Sequence, residues 1–195
     1  TSRGNQTATT YDTGTMANST TYYWRIDEQN ANGTTTGVVW SFTTVAGAGA
    51  LPFSDGFESG NFTAGGWTTQ DADASITSTI NDRYAGTYGA KLRETTWMQK
   101  AVSTVGYNTI HVKYARKATG LDSGQNEKLY VEWSIDGTTW NNLETTGTTA
   151  WALKDFTCGS GANNNANFRV RFRINANATS EFAAVDSVEI TGTSQ

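Results

Sequence analysis

Three arginines alternate with apolar residues in the segment Phe168-Arg-Val-Arg-Phe-Arg-Ile, and this spacing is the clearest chemical signal in the sequence. Successive side chains of an extended strand point to opposite faces. Arg169, Arg171 and Arg173 would therefore share one face, while the apolar residues face a core. Because a planar guanidinium donates paired hydrogen bonds to carboxylate or sulfate groups, the row predicts an outward surface that can contact an acidic ligand.

Two further segments alternate in the same way and could extend this row into a patch. Residues 128–135 would place Leu129, Val131, Trp133 and Ile135 inward. If residues 109–116, 128–135 and 168–174 lie in one sheet, the outward residues are His111, Lys113, Tyr130, Glu132, Arg169, Arg171 and Arg173. The alternative is an ordinary solvated sheet face on which Glu132 pairs with one arginine, an exposed ion pair worth about 0 to 1 kcal/mol.

Flat aromatic side chains are the second group with binding potential, because sugar rings stack on them. Trp97, Trp140 and Trp151 lie near expected turns or strand ends, either as stacking platforms or as covers for the edge of the core. Trp97 is preferred because the polar segment Arg93-Glu-Thr-Thr-Trp-Met-Gln-Lys surrounds it. Trp24, Trp40 and Trp133 alternate with apolar neighbours and are expected in the core. The predicted ligand contacts are Trp97, Tyr130, Arg169, Arg171 and Arg173.

Catalytic chemistry has little support in the sequence. One histidine, His111, and one cysteine, Cys158, exclude an internal disulfide, a CxxC redox site and a multi-histidine metal centre. A glycosidase needs two carboxylates held at a fixed distance across a cleft. No argument from spacing pairs any two of the candidates Glu127, Glu132, Glu144, Asp155 and Glu181. We therefore expect that the protein is not an enzyme.

The elements that must position these side chains are short β-strands. The 195 residues include 20 glycines, 7 tryptophans, 8 tyrosines and 8 phenylalanines but 1 proline, a composition typical of many strands joined by tight turns. The formal net charge of −4 argues against nucleic acid as a partner, because phosphate binding needs clustered Lys and Arg. No stretch approaches the roughly 20 apolar residues of a membrane span, so no membrane partner is expected.

A change of composition predicts two domains, residues 1–48 and residues 49–195, at the glycine-rich segment Val45-Ala-Gly-Ala-Gly-Ala-Leu-Pro. In the first, Thr20-Thr-Tyr-Tyr-Trp-Arg-Ile-Asp-Glu-Gln-Asn and Val38-Val-Trp-Ser-Phe-Thr-Thr resemble the last strands of a fibronectin type III domain of secreted bacterial proteins. The resemblance covers residues 10–44, about three strands of a sandwich that needs seven. Three strands would leave Trp24, Trp40 and Phe42 partly uncovered, so we expect residues 1–48 to pack on the next domain or to be completed by another chain.

The second domain resembles the jelly-roll modules of secreted bacterial proteins, a group that includes MAM-like, cleaved-adhesin and carbohydrate-binding domains. The resemblance rests on the opening Phe53-Ser-Asp-Gly-Phe-Glu-Ser-Gly-Asn-Phe, on Leu129-Tyr-Val-Glu-Trp-Ser-Ile-Asp-Gly-Thr-Thr-Trp and on the closing Val185-Asp-Ser-Val-Glu-Ile. It implies an antiparallel β-sandwich, so the predicted fold class is all-β: partial fibronectin type III-like strands followed by a jelly roll.

The same resemblance implies a structural calcium ion. Ca²⁺ needs several oxygen ligands, and the first and last strands of a jelly roll lie side by side, so carboxylates from both ends can converge. By position these are Asp55, Glu58 and Asp186. The alternative is that Asp55 and Asp186 cap turns or accept backbone hydrogen bonds and that Glu58 is a solvated surface charge.

These features favour a non-catalytic extracellular module that binds polysaccharide, acidic polymers among them, and that calcium would stabilise. The alternative is a structural or adhesive subunit of an extracellular surface assembly, in which a neighbouring chain completes the open N-terminal strands and the protein self-associates.

Overall fold

The computed structural model describes residues 3–14, 16, 20–44 and 49–195. Within these ranges the chain forms 16 β-strands and three short 3₁₀ helices but no α-helix, so the predicted all-β class is confirmed. Two compact units are present, Thr1–Gly47 and Ala48–Gln195. Part of the predicted linker, residues 45–48, lies outside the described residues. None of the helices in the described ranges has the length and hydrophobicity needed to cross a membrane.

The N-terminal unit contains two separate pairs of short strands. Strands β1 (Thr21–Trp24) and β4 (Trp40–Thr43) form one antiparallel ribbon, and β2 (Glu28–Asn30) and β3 (Gly33–Thr35) form a hairpin. Residues 10–14, which the fibronectin-like segment was expected to include, form no strand.

The tryptophans of the N-terminal unit correct one prediction. Trp24 lies opposite Trp40 on the β1–β4 ribbon, and their rings stack with centroids 6.4 Å apart. The two residues are nevertheless 48% and 60% exposed. The prediction that they belong to a core is wrong. In the two-stranded ribbon each tryptophan stacks on the other, and no second sheet of the described strands covers the pair.

The second unit contains two six-stranded sheets, which we call sheet I and sheet II. Sheet I contains β5 (Gly49–Ala50), β7 (Trp67–Thr69), β10 (Trp97–Ser103), β12 (Lys128–Ser134), β13 (Asn141–Thr146) and β15 (Arg169–Asn175). Its strand order is β13-β12-β15-β10-β5, and β7 also pairs with β10. All pairings in sheet I are antiparallel except β5 with β10.

Sheet II is antiparallel throughout and is built from the remaining strands. These are β6 (Phe53–Asp55), β8 (Ala74–Thr77), β9 (Gly89–Arg93), β11 (Tyr107–Thr119), β14 (Ala152–Thr157) and β16 (Phe182–Ser194). Its order is β14-β11-β16-β9-β8, with β6 also paired to β16. The first and last parts of the unit therefore meet, since Asp55 lies opposite Val188.

The core lies between the two sheets and is formed by alternate side chains of their strands. Phe168, Val170, Phe172 and Ile174 are all fully buried, as the alternation around the three arginines predicts. The ring of Phe172 on sheet I contacts Tyr114 of sheet II edge-on, with centroids 5.1 Å apart. Trp67 packs against Phe172 from β7, with centroids 6.1 Å apart. Phe172 is thus a central contact between the sheets.

One inward prediction for β12 is wrong. Leu129, Val131 and Trp133 are buried, but Ile135 is 38% exposed. The strand ends at Ser134, whose Oγ accepts hydrogen bonds from the backbone N–H groups of Asp136 and Gly137 at 3.2 and 2.8 Å. This local turn removes Ile135 from the alternation.

A buried ion pair also joins the two sheets. Arg116 of β11 donates from Nε to Glu144 Oε1 of β13 at 3.1 Å, and Tyr114 donates its hydroxyl to Glu144 Oε2 at 2.9 Å. Burial and the adjacent Glu144 carboxylate raise the pKa of Tyr114 well above its ordinary value. The hydroxyl of Tyr114 therefore remains a donor to Glu144, while Nη1 of Arg116 is buried without a hydrogen-bond partner among the described residues.

Replacing Phe172 with alanine tests the packing between the sheets. The Phe172→Ala variant should lose about 3 to 5 kcal/mol of unfolding free energy, because a fully buried ring leaves a cavity that its neighbours only partly fill. Chemical denaturation measures this loss. Thr68→Ala, an exposed position on β7, is the control and should change little. A Phe172→Ala loss below about 1 kcal/mol would contradict the packing described.

The lone cysteine provides an independent probe of the same core. Cys158 is buried, and this burial raises the pKa of its thiol to about 12. The reactive thiolate is therefore scarce at pH 8, and we expect very slow labelling by a thiol reagent in the native protein and one rapid equivalent after denaturation. Rapid labelling without denaturant would show that this part of the core is open.

Candidate ligand-binding face

The three arginines of β15 lie on the outer face of sheet I. Each neighbouring strand, β10 and β12, contributes a row of side chains beside them. Tyr130 of β12 and Trp97 of β10 flank Arg173 in the strand register, and Glu132 and Gln99 flank Arg171. Because β15 is an interior strand that pairs on both edges, its backbone holds these side chains at fixed spacing. We call the outer surface formed by Trp97, Tyr130, Glu132, Trp140, Arg169, Arg171 and Arg173 the arginine face.

Glu132 lies at the centre of the arginine face and pairs with two arginines. Its Oε2 accepts from Arg171 Nη2 at 2.8 Å, and its Oε1 accepts from Arg173 Nη2 at 3.3 Å. The solvated-face alternative assumed one pairing, whereas the structure forms two. The bridge restrains both guanidinium groups and leaves an unbalanced positive charge, since two cations share one carboxylate.

Aromatic rings hold the same two guanidinium groups from another side. Arg171 lies 3.7 Å from the ring centroid of Trp140, and Arg173 lies 4.0 Å from that of Tyr130. At such distances a guanidinium is attracted to the ring face and is oriented parallel or tilted to it. The guanidinium groups of Arg171 and Arg173 are therefore held in place both by ion pairs with Glu132 and by stacking on the aromatic rings.

Trp140 is a part of this face that the sequence prediction did not select. It follows the turn at Asp136-Gly137, where Gly137 has a φ of 76°. Asp136 Oδ1 accepts from the backbone N–H groups of Thr138 and Thr139, both at 2.7 Å. These backbone hydrogen bonds, that from Thr139 first, hold the pKa of Asp136 far below its ordinary value. The Asp-Gly signal before Trp140 indicates a chain reversal that returns the ring to the neighbouring strand.

Arg169 differs from its two neighbours because it forms no ion pair with any described residue. Its Nε is buried without a hydrogen-bond partner. Its guanidinium lies over Gly137, where an added Cβ would be 2.8 Å from Nη1. Arg169 is thus the arginine whose charge the described part of the chain leaves uncompensated.

His111 and Lys113 do not belong to this face, which corrects the predicted patch. Both lie on β11 of sheet II, whereas the arginines lie on sheet I. His111 Nδ1 and Lys113 Nζ approach Asp155 of β14 at 2.9 and 3.8 Å. The error came from grouping three strands by their shared alternation, although alternation fixes which side of a strand is buried and not which sheet holds it.

The carboxylates predicted to bind calcium all accept hydrogen bonds from N–H groups. Asp55 accepts from the backbone of Phe57 at 2.7 Å and from the indole of Trp67 at 2.9 Å. Glu58 accepts from the backbone of Thr87 at 3.0 and 2.9 Å, and these backbone bonds lower its pKa.

The third of these carboxylates, Asp186, is buried in sheet II. Its Oδ2 accepts from the backbone N–H groups of Tyr84 and Ala85 at 2.7 and 3.0 Å. Burial raises the pKa of Asp186, an effect that these hydrogen bonds partly offset. Asp55, Glu58 and Asp186 do not form a three-carboxylate group within the described ranges.

A different acidic group could hold a metal ion. Asp122, Glu127 and Glu181 each place one carboxylate oxygen within 4.8 Å of the others, and no other group of this kind occurs in the ranges that the structure describes. Sequence reasoning considered Glu127 and Glu181 only as glycosidase carboxylates. Nothing in their spacing pairs them, because 54 positions separate Glu127 from Glu181.

The sequence matches no protein-family model and no curated protein. The structure, however, is similar to solved β-sandwich modules. TmCBM61, solved in complex with β-1,4-galactotriose, aligns with a TM-score of 0.53 at 12% identity over 70% of this chain and 94% of that one. The CBM22-1 xylan-binding domain from Paenibacillus barcinonensis Xyn10C gives 0.53 at 12% identity, over 77% of this chain and 99% of that one.

An adhesin domain has the same architecture. The K2 cleaved adhesin domain of Lys-gingipain from Porphyromonas gingivalis aligns with a TM-score of 0.52 at 16% identity, over 72% of this chain and 99% of the domain. At these identities the likeness establishes fold alone. The protein therefore contains a β-sandwich of the type found in carbohydrate-binding modules and cleaved adhesin domains.

Proposed function

We propose that this protein is a non-catalytic, extracellular carbohydrate-binding module that holds acidic polysaccharide against the arginine face. The observation that carries the proposal is the row of three guanidinium groups on the outer face of sheet I, two of them held against aromatic rings, on a fold of this type. The fibronectin-like N-terminal unit would be the trailing part of an adjacent domain in a larger secreted protein.

The charge of the arginine face supports an acidic ligand. Arg169, Arg171 and Arg173 contribute three positive charges against one negative charge on Glu132, on a chain whose formal net charge is −4. A concentrated positive surface on an acidic protein attracts anions to that surface while repelling them elsewhere. Carboxylate or sulfate groups could accept the guanidinium N–H donors that Glu132 does not occupy.

The mode of binding would be reversible contact without covalent chemistry. Glu132, Trp140 and Tyr130 already restrain Arg171 and Arg173, so binding would cost less side-chain entropy at these two residues than with free arginines. Trp97 and Tyr130 offer ring faces next to Arg173, where a sugar could stack while its acidic group meets the guanidinium. Tethering to a polymer would raise the local concentration of whatever the module is joined to.

Affinity electrophoresis against acidic and neutral polysaccharides tests this proposal. The protein should be retarded by an acidic polymer such as polygalacturonate, and the retardation should weaken with added salt. Arg169→Gln and Arg173→Gln should each reduce affinity roughly tenfold or more, since each removes charge-assisted hydrogen bonds worth about 1.5 to 3 kcal/mol.

The matched control is Lys113→Gln, which removes a positive charge from the outer face of sheet II. It should leave retardation unchanged within about twofold, because its charge lies off the arginine face. Equal losses in the control and the arginine variants would indicate nonspecific attraction to net charge. The absence of retardation by any acidic or neutral polymer would count against the proposal as a whole.

The calcium site predicted at Asp55, Glu58 and Asp186 also stays a proposal. It is supported by the pairing of β6 with β16, which places Asp55 opposite Val188, two residues from Asp186, and by the negative charge of Glu58 near Asp186. Calcium would have to share these carboxylates with the N–H groups that they now accept from. The ion would then tie the two ends of the unit together.

A structural or adhesive subunit is the second candidate, and the N-terminal unit favours it. Tyr23, Ile26, Val38 and Trp40 are all more than half exposed there, and short ribbons with exposed apolar residues can accept a strand from another chain. Light scattering after size exclusion should then show a mass that rises with protein concentration. A monomer at every concentration would exclude this candidate.

A further inference from the structure

The acidic group formed by Asp122, Glu127 and Glu181 lies between two loops of the second unit. Asp122 and Glu127 bracket the 3₁₀ turn Ser123–Gln125, in the loop that joins β11 to β12. Glu181 ends the loop that joins β15 to β16. Both loops cross between the sheets, since β11 and β16 belong to sheet II and β12 and β15 to sheet I.

In each of the three carboxylates, one oxygen accepts hydrogen bonds from groups of its own loop. Glu127 Oε2 accepts from the backbone N–H of Asp122 at 2.8 Å. Glu181 Oε2 accepts from the N–H groups of Asn177 and Ala178 at 3.0 and 2.9 Å. Asp122 Oδ2 accepts from Gln125 at 3.3 Å. The second oxygen of each carboxylate accepts no hydrogen bond from the described residues.

Burial makes the free oxygen of Glu127 the decisive observation. Glu127 is 2% exposed, and its Oε1 has no hydrogen-bond partner. Glu181 is also buried, at 6% exposure. No ion pair in the described ranges involves any of the three residues. Two buried carboxylates thus lie beside a third with no cationic side chain among the described residues to offset their mutual repulsion.

A divalent cation would relieve this repulsion and supply the missing partner. The donor set consists of carboxylate oxygens without histidine or cysteine, which suits a hard cation. Ca²⁺ accepts six to eight oxygens in irregular geometry and tolerates a site completed by water. We propose that Asp122, Glu127 and Glu181 form a structural Ca²⁺ site that clamps the two inter-sheet loops together, separate from Asp55, Glu58 and Asp186.

Other contacts already hold the two loops in register for such a clamp. Asn177 Nδ2 donates to Gln125 Oε1 at 2.7 Å, from one loop to the other. Gly120, with a φ of 78°, lies against Glu181, where an added Cβ would be 3.3 Å from Cγ. A residue larger than glycine at position 120 would therefore press against Glu181 and displace its carboxylate.

Calcium titration of the whole chain tests the proposal, by isothermal calorimetry and by thermal unfolding after treatment with EDTA. Calcium at about 100 times its dissociation constant should raise the melting temperature of the second unit by roughly 5 to 10 °C. Glu127→Gln keeps an oxygen for the Asp122 N–H but removes the charge. It should lose one equivalent of bound calcium and most of this shift.

Three further variants keep the result interpretable. Asp122→Asn changes an exposed ligand and should weaken calcium binding by tenfold or more even if Glu127→Gln fails to fold. Glu28→Gln, exposed on β2 of the N-terminal unit, is the matched control and should retain both stoichiometry and shift. Glu58→Gln should likewise retain this equivalent, whether or not a second ion binds near Asp186.

The contrary result has a clear physical meaning. If the three carboxylates bind no cation, calcium will leave the melting temperature unchanged and Glu127→Gln will raise it, because a repulsive charge is removed. That outcome would overturn the proposal, as would retention of full calcium stoichiometry in both Glu127→Gln and Asp122→Asn. Neither result bears on whether the arginine face binds polysaccharide.

Discussion

The alternation of side chains along β15 is the constraint on which the second unit depends. Its inward residues include Phe172, which contacts both Tyr114 of the opposite sheet and Trp67. Its outward residues are the three arginines. A shift of one residue in register would bury three guanidinium groups and expose three large apolar side chains, at a cost far above the marginal stability of a domain. Core and surface are therefore specified by the same pattern.

Charge is organised differently at three places in this unit. On the arginine face, Glu132 and the aromatic rings of Trp140 and Tyr130 restrain cations that still reach solvent. Between the sheets, Arg116 and Glu144 neutralise each other where water is excluded. At the inter-sheet loops, Asp122, Glu127 and Glu181 each accept hydrogen bonds on one oxygen but have no counter-charge among the described residues. The first arrangement suits recognition, the second suits structure, and the third could hold a cation.

Local patterns predicted much of the fold but little of how its parts meet. The all-β class, the buried face of β15 and the close approach of β6 and β16 all follow from alternation, turn residues and the resemblance to jelly-roll modules. Sheet membership could not be predicted, because β11 and β12 alternate alike yet belong to different sheets. Glu127 and Glu181 likewise meet through two loops that are distant in sequence. The place of Trp140 on the arginine face could have been predicted, because the Asp136-Gly137 turn before it indicates a chain reversal.

The interior position of β15 has a consequence for how such a surface could change over generations. Its backbone amides and carbonyls are engaged by β12 on one edge and β10 on the other, so the strand keeps its shape whatever its outward side chains are. Substitutions at the arginine positions need not disturb the packing beneath them. One scaffold could in this way acquire new surface chemistry by exchanging a few outward residues, provided that the nearly buried Glu132 carboxylate keeps a cationic partner.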